Sequence, residues 1–116
     1  MMTEQIGHKI TELVDPIVPL SLYEAETEEY PYAYYINTPV RHRTKDGDVY
    51  KITSDVVISV VSKSFDQADD ISNQIADAIE SGMAGDGFRG ELVSVERTCY
   101  EGVWTIDNTF AVKQMQ

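Results

Sequence analysis

The residues best suited to chemistry in this sequence are few, and their spacing argues against a catalytic centre. Gly85-Asp86-Gly87-Phe88-Arg89-Gly90 satisfies the G-x-G-x-x-G pattern of dinucleotide-binding turns. That pattern cradles a pyrophosphate only where it follows a strand and opens a helix. Here a segment of helical periodicity precedes it and a strand-like segment follows, and Asp86 would set a negative charge beside the phosphates. The glycines therefore predict a helix-to-strand connection and no cofactor. His8 and His42 are the only histidines and Cys99 the only cysteine. No His-x-x-x-His or Cys-x-x-Cys spacing gathers metal ligands. Both histidines are expected in solvent. Cys99, near a strand end with no base beside it, is expected as a partly buried, inert thiol. Neither a G-x-S-x-G elbow nor a G-x-x-x-x-G-K-S/T phosphate loop occurs.

Carboxylates are abundant instead. The 116 residues hold 20 Asp and Glu against 9 Lys and Arg, a formal charge of -11. With so many acids, two carboxylates close in space carry little weight as evidence for acid-base catalysis. Asp69, Asp70, Asp77 and Glu80 are accounted for as the wet side of a helix, so no enzyme is expected. The acid excess also opposes a grip on nucleic acid, which needs Lys and Arg to displace counterions from phosphates. Tyr30, Tyr32, Tyr34 and Tyr35 would serve as a stacking platform only beside a basic groove. The local positive patch of Arg41, His42, Arg43 and Lys45 is bordered by Asp46 and Asp48. Such a mixture suits a salt-bridged contact with another protein. These six residues are the candidate subunit or partner interface.

The elements that would carry them follow from periodicity. Ile6, Ile10, Leu13 and Val14 form one apolar stripe and predict a helix over Thr3 to Asp15, closed by Pro16. Thr3 or Glu4 suits its N-terminal end, and Gly7 weakens it by about 1 kcal/mol relative to Ala. From Pro16 to Pro31 the chain reads as surface loop, with Ile17-Val18-Pro19-Leu20 a possible short edge segment and Glu24, Glu26, Glu28 and Glu29 a solvated acidic run. Tyr32 to Thr38 and Tyr50 to Ser62 pair as a long hairpin turning at Asp46-Gly47-Asp48. The hairpin is packed at its base, from about Ser54 to Ser62, and projects at its polar tip. Ser64 opens a second helix as a capping box with Gln67, or Asp66 caps it instead. Ala68, Ile71, Ile75, Ala78 and Ile79 give its apolar face, and Gly82 is a natural stop. Glu91 to Cys99 and Val103 to Lys113 form a second hairpin turning near Glu101-Gly102. In its last strand Trp104, Ile106, Phe110 and Val112 share one face, interrupted by Asn108.

The sum is a single α+β domain over residues 1–116, ordered helix, β-hairpin, helix, β-hairpin, with about four antiparallel strands and both helices on one face. A chain of this length buries roughly two-thirds of its unfolded surface, enough for one core. The longest apolar run, Val56 to Val61, is broken by Ser59 and falls far short of the ~20 residues of a membrane span. The segment carrying Glu4 and Glu12 has no apolar core of signal type. A cytoplasmic location is expected.

This order resembles the small tail-completion proteins of long-tailed bacteriophages, among them tail terminators and tail-to-head joining proteins. The resemblance rests on Tyr30-Pro31-Tyr32-Ala33-Tyr34-Tyr35, the strand Val56-Val57-Ile58-Ser59-Val60-Val61, and the helix Asp66 to Ser81 with its closing hairpin. The polar extension from Pro39 to Lys51 and the acidic loop before Tyr30 depart from the family pattern. The resemblance implies a structural virion protein assembled in the bacterial cytoplasm. It would form a homo-hexameric ring that ends the tail tube, meets tail-tube and head-connector proteins, and lets DNA pass. Glu24, Glu26, Glu28 and Glu29 would then be channel-facing acids that repel phosphates, and Arg41, Arg43 and Lys45 would pair across subunits. A neck or head-completion role and a monomeric protein-binding adaptor are the alternatives.

Overall fold

The structure is a computed structural model that describes residues 4–22, 30–84 and 87–115. Its elements are α1 (Ile6–Val14), β1 (Leu20–Leu22), β2 (Tyr32–Arg43), β3 (Val49–Ser62), α2 (Phe65–Gly82), β4 (Phe88–Tyr100) and β5 (Val103–Met115). Two helices alternate with two hairpins as expected. The four long strands pair antiparallel in a sheet ordered β1-β2-β3-β5-β4. The short β1 extends the expectation: it lies in the stretch read as surface loop and runs parallel to β2, with Leu20 opposite Ala33 and Leu22 opposite Tyr35. Val18 is buried beside it, and the Ala33 amide donates to the Pro19 carbonyl at 2.9 Å. Packing Ile17, Val18 and Leu20 against the core settles this piece on the sheet edge.

Residues opposite one another across an antiparallel ladder share a face, so register decides what is core. Tyr35, Ile58 and Asn108 lie in one row, and Val56, Phe110 and Leu92 in another. These rows face the helices, where Ile6, Ile10 and Val14 of α1 and Ala68, Ile71, Ile75 and Ile79 of α2 close the core. Packing reaches further along the first hairpin than the polar text of 39–51 suggests, since Val49 and Ile52 are buried. For Ile52 the reason is β5, which accompanies β3 as far as Met115 opposite Lys51. Beyond that pair only the hairpin end stands out.

Local chemistry explains the element ends. At α1 the Glu4 carboxylate accepts from the Gly7 amide at 3.1 Å, so an acid does satisfy an orphan donor there. At α2 the choice of cap falls to Ser64, whose Oγ accepts from the Gln67 amide at 3.3 Å. The reciprocal arm runs through Ser62: its hydroxyl donates to Gln67 Oε1 at 2.7 Å and accepts from the Ser64 amide at 3.1 Å. Ser64→Ala should lower the unfolding free energy by about 1 kcal/mol, read from urea midpoints with the slope unchanged.

Gly82 plays another part than the one expected. It is the last residue of the helix, with a right-handed cap residue, Met83, after it. A Cβ at Gly82 would come within 2.3 Å of Leu13 Cδ2, so the glycine lets α1 and α2 approach. In the second hairpin Glu101 and Gly102 both have positive φ, 52° and 81°, forming the expected tight turn. A bulge between Leu92 and Ser94 leaves Val93 outside. It re-phases β4 so that both Leu92 and Val95 pack on the core.

Candidate assembly surface

Strand alternation divides the positive patch between two faces. Arg41 lies opposite Ile52 and Arg43 opposite Val49, on the helix side of the ladder, while His42 lies opposite Lys51 on the other side. Arg43 Nη1 donates to the Gly47 carbonyl at 2.8 Å and so braces the turn. The Thr44 amide bonds the Asp48 carbonyl at 2.9 Å, and Gly47 takes a φ of 89° that favours glycine. His42 is half-buried rather than free in solvent: its Nε2 lies 2.9 Å from Thr53 Oγ1, and its ring centroid is 6.4 Å from that of Tyr50. Lys45, Asp46 and Asp48 are exposed. Among the described residues the ion pairs are Arg97 with Asp69 at 3.1 Å and Lys9 with Glu12 at 4.0 Å, and neither involves a tip charge. Glu24, Glu26, Glu28 and Glu29 lie outside the described residues.

Among the described residues no second layer of helix or strand covers the face turned away from the helices. Two adjacent rows cross all four long strands on this side: Val40, Thr53, Lys113, Arg89 and Thr38, Asp55, Ala111, Glu91. They floor a groove of about 370 Å³, with Glu80 and Ala84 from the end of α2 at its β4 margin. The groove mixes methyls, hydroxyls and both signs of charge, a lining suited to polar macromolecular contact. Val40 of this floor is 54% exposed, and Ile36 beside the groove is 42% exposed. Sequence alone carried a signal for this surface. In β2 the positions of Tyr32, Tyr34, Ile36 and Val40 are apolar as well as those of Ala33 and Tyr35, so both faces of the strand favour burial.

Both long edges of the sheet are protected against strand addition. The outer edge of β2 beyond β1 contains Pro39, which offers no amide. The β4 edge is bent by the bulge at Val93 and carries Arg89, Glu91, Glu96 and Arg97.

The other candidates for chemistry are dispersed. Among the described residues no three His, Cys, Asp or Glu side chains gather in a group able to hold a metal ion. His8 is exposed on α1. Cys99 is exposed, not partly buried as expected, because it is the next-to-last residue of β4, an edge strand with β5 as its one neighbour. Gly87 and Gly90 of the G-x-G-x-x-G match serve packing: a Cβ at Gly87 would meet the Met115 carbonyl oxygen at 2.6 Å, and one at Gly90 would meet Ile79 Cγ2 at 3.0 Å. No described helix is long and apolar enough to cross a membrane.

No protein-family model matches the chain, and no curated protein matches it. Solved structures do share its fold. One is a chain of the virion of a native gene transfer agent (GTA) particle, 18% identical, which superposes with a TM-score of 0.65 over 92% of this chain and 84% of its own. Another, 14% identical, superposes with a TM-score of 0.62 over 100% of this chain and 96% of its own. At these identities the likeness is one of fold.

Proposed function

We propose that the protein is a structural component of a phage-like virion, acting by assembly and not by catalysis. In this reading copies close into a ring, six-membered in the family it resembles, which ends the tail tube and presents a face to the head connector. The observation that carries the reading is the shared fold with a chain of the GTA virion over 92% of the present sequence. Physical features support it. A ring requires two different patches on each subunit that meet heterologously, and the described residues offer a sheet face with no second layer of helix or strand and a projecting hairpin end. An acid-rich subunit is also suited to a channel through which DNA moves without adhering. Assembly would take place in the host bacterial cytoplasm, with the protein then retained in the virion tail.

Native mass spectrometry at micromolar protein, alone and with tail-tube protein, tests the reading. A closed oligomer of defined stoichiometry is the expected result. A strict monomer under both conditions overturns it.

A further inference from the structure

The basic residues are scarce, and the fold collects most of them at one end. Segments 40–53, 87–89 and 113–115 hold Arg41, Arg43, Lys45, Lys51, Arg89 and Lys113, six of the chain's nine Lys and Arg, against Asp46 and Asp48, while Asp55 and Glu91 stand in the next row and Glu80 reaches the same groove. Register places these segments side by side, Thr53 opposite Lys113 and Lys113 opposite Arg89. The molecule is 53 Å long and 23 Å wide, so this is a pole. Exposed apolar groups accompany the charge there: Val40, Tyr50 and Met115.

The opposite charge lies on α2, which has five acids and no base. Asp66, Asp70, Asp77 and Glu80 are all exposed and recur at i, i+4, i+11 and i+14, a single stripe about 20 Å long on the side away from Ala68, Ile75 and Ile79. Asp69, at the margin of the stripe, is the acid that Arg97 neutralises. Four acids on one helix side repel one another at spacings of about 5–10 Å, within a Debye length. Along β2, Arg41 and Arg43 are about 7 Å apart, close to the rise of about 6 Å from Asp66 to Asp70.

A molecule of charge -11 resists its own association unless unlike charges are brought together at the contact. We infer that the hairpin end of one copy, through Arg41, Arg43 and Lys45, docks across the acidic stripe of α2 on the next copy. The contact is heterologous: each copy presents a basic pole and an acidic stripe, so copies propagate in one direction and close where the rotation allows. The inference rests on the self-assembly proposed above and specifies its contact.

Charge reversal tests it. Arg41→Glu/Arg43→Glu/Lys45→Glu and Asp66→Lys/Asp70→Lys/Asp77→Lys each alter exposed side chains, and circular dichroism establishes that each variant is folded. Each triple variant alone should raise the concentration needed for assembly by about tenfold or more, since three favourable pairs become repulsive. An equimolar mixture of the two should restore assembly, because in alternating order every hairpin end meets a helix of opposite charge. Assembly of either variant at the wild-type concentration overturns the contact, as does a mixture of folded variants that remains dissociated. In both cases a wild-type oligomer leaves the ring itself standing. A wild-type protein that is monomeric with and without tail-tube protein overturns the ring and this contact together.

Discussion

Phe110→Ala should lower the unfolding free energy by about 3–5 kcal/mol, the cost of removing a buried aromatic side chain and leaving the space only partly refilled. Phe110 is 0% exposed and heads the fully buried side chains by volume. It sits in the second strand from the β4 edge, opposite Val56 on one side and Leu92 on the other. Its row thus holds β3, β5 and β4 together on the side α1 and α2 cover. A domain of this size has only about 5–15 kcal/mol of stability in all, so the variant should melt far below the wild type. Urea unfolding gives the measurement: a midpoint shift of less than about a quarter of the wild-type value would show that Phe110 is not the centre of the core. Phe110→Leu refills most of the space and should recover more than half of the loss.

Asn108→Ala should cost about 2–3 kcal/mol through a different mechanism. Asn108 is 1% exposed on a face it shares with Trp104, Ile106, Phe110, Val112 and Gln114. Its Nδ2 donates to the Ile58 carbonyl and to Ser72 Oγ, both at 3.2 Å, so one amide ties α2 to the ladder of β3 and β5. Alanine leaves the Ser72 hydroxyl and the lone pairs it served in a dry interior, where an unsatisfied group is costly. A double-mutant cycle with Ser72→Ala isolates the pair. A coupling energy near zero would show that the amide is not bridging the helix to the sheet. Asn108→Asp is the sharper probe, because an ionised carboxylate has no hydrogen to donate to Ile58 and must desolvate a charge. Its destabilisation should grow as pH rises through the carboxylate range, the sign expected when burial favours the protonated form in the folded state.

How legible these features were in the sequence depends on the range of the interaction behind them. The stripe of Ile6, Ile10 and Val14, the cap at Ser64 and the turn at Glu101-Gly102 are local, and all lie where periodicity and turn chemistry place them. Asn108 was visible only as an interruption in an apolar alternation, since its partners, Ile58 and Ser72, are 50 and 36 residues away. Gly82 read as a helix stop because the relevant neighbour, Leu13, belongs to another helix. A three-residue strand such as β1 has too little pattern of its own to announce itself. It exists because β2 offers an open ladder beside Ala33 and Tyr35. The burial of Ile52 was hidden for a related reason, as the polar text before it says nothing about β5 running alongside.

The candidate interface divides in the same way. Composition alone determined an acidic chain with too few bases to hold nucleic acid, and local pattern determined two helices, two hairpins and a core on one side of the sheet. A mixed-charge hairpin end was readable too, because its residues are consecutive. Only the tertiary structure decided that Lys51, Arg89 and Lys113, distant from one another in the chain, stand beside that end and make it a basic pole. It also decided which side each takes, Arg41 the side of the helices and His42 the other. The physical reason is register: side-chain alternation is set within each strand, but which strands lie together, and at what offset, is set by the packing of the whole sheet against α1 and α2.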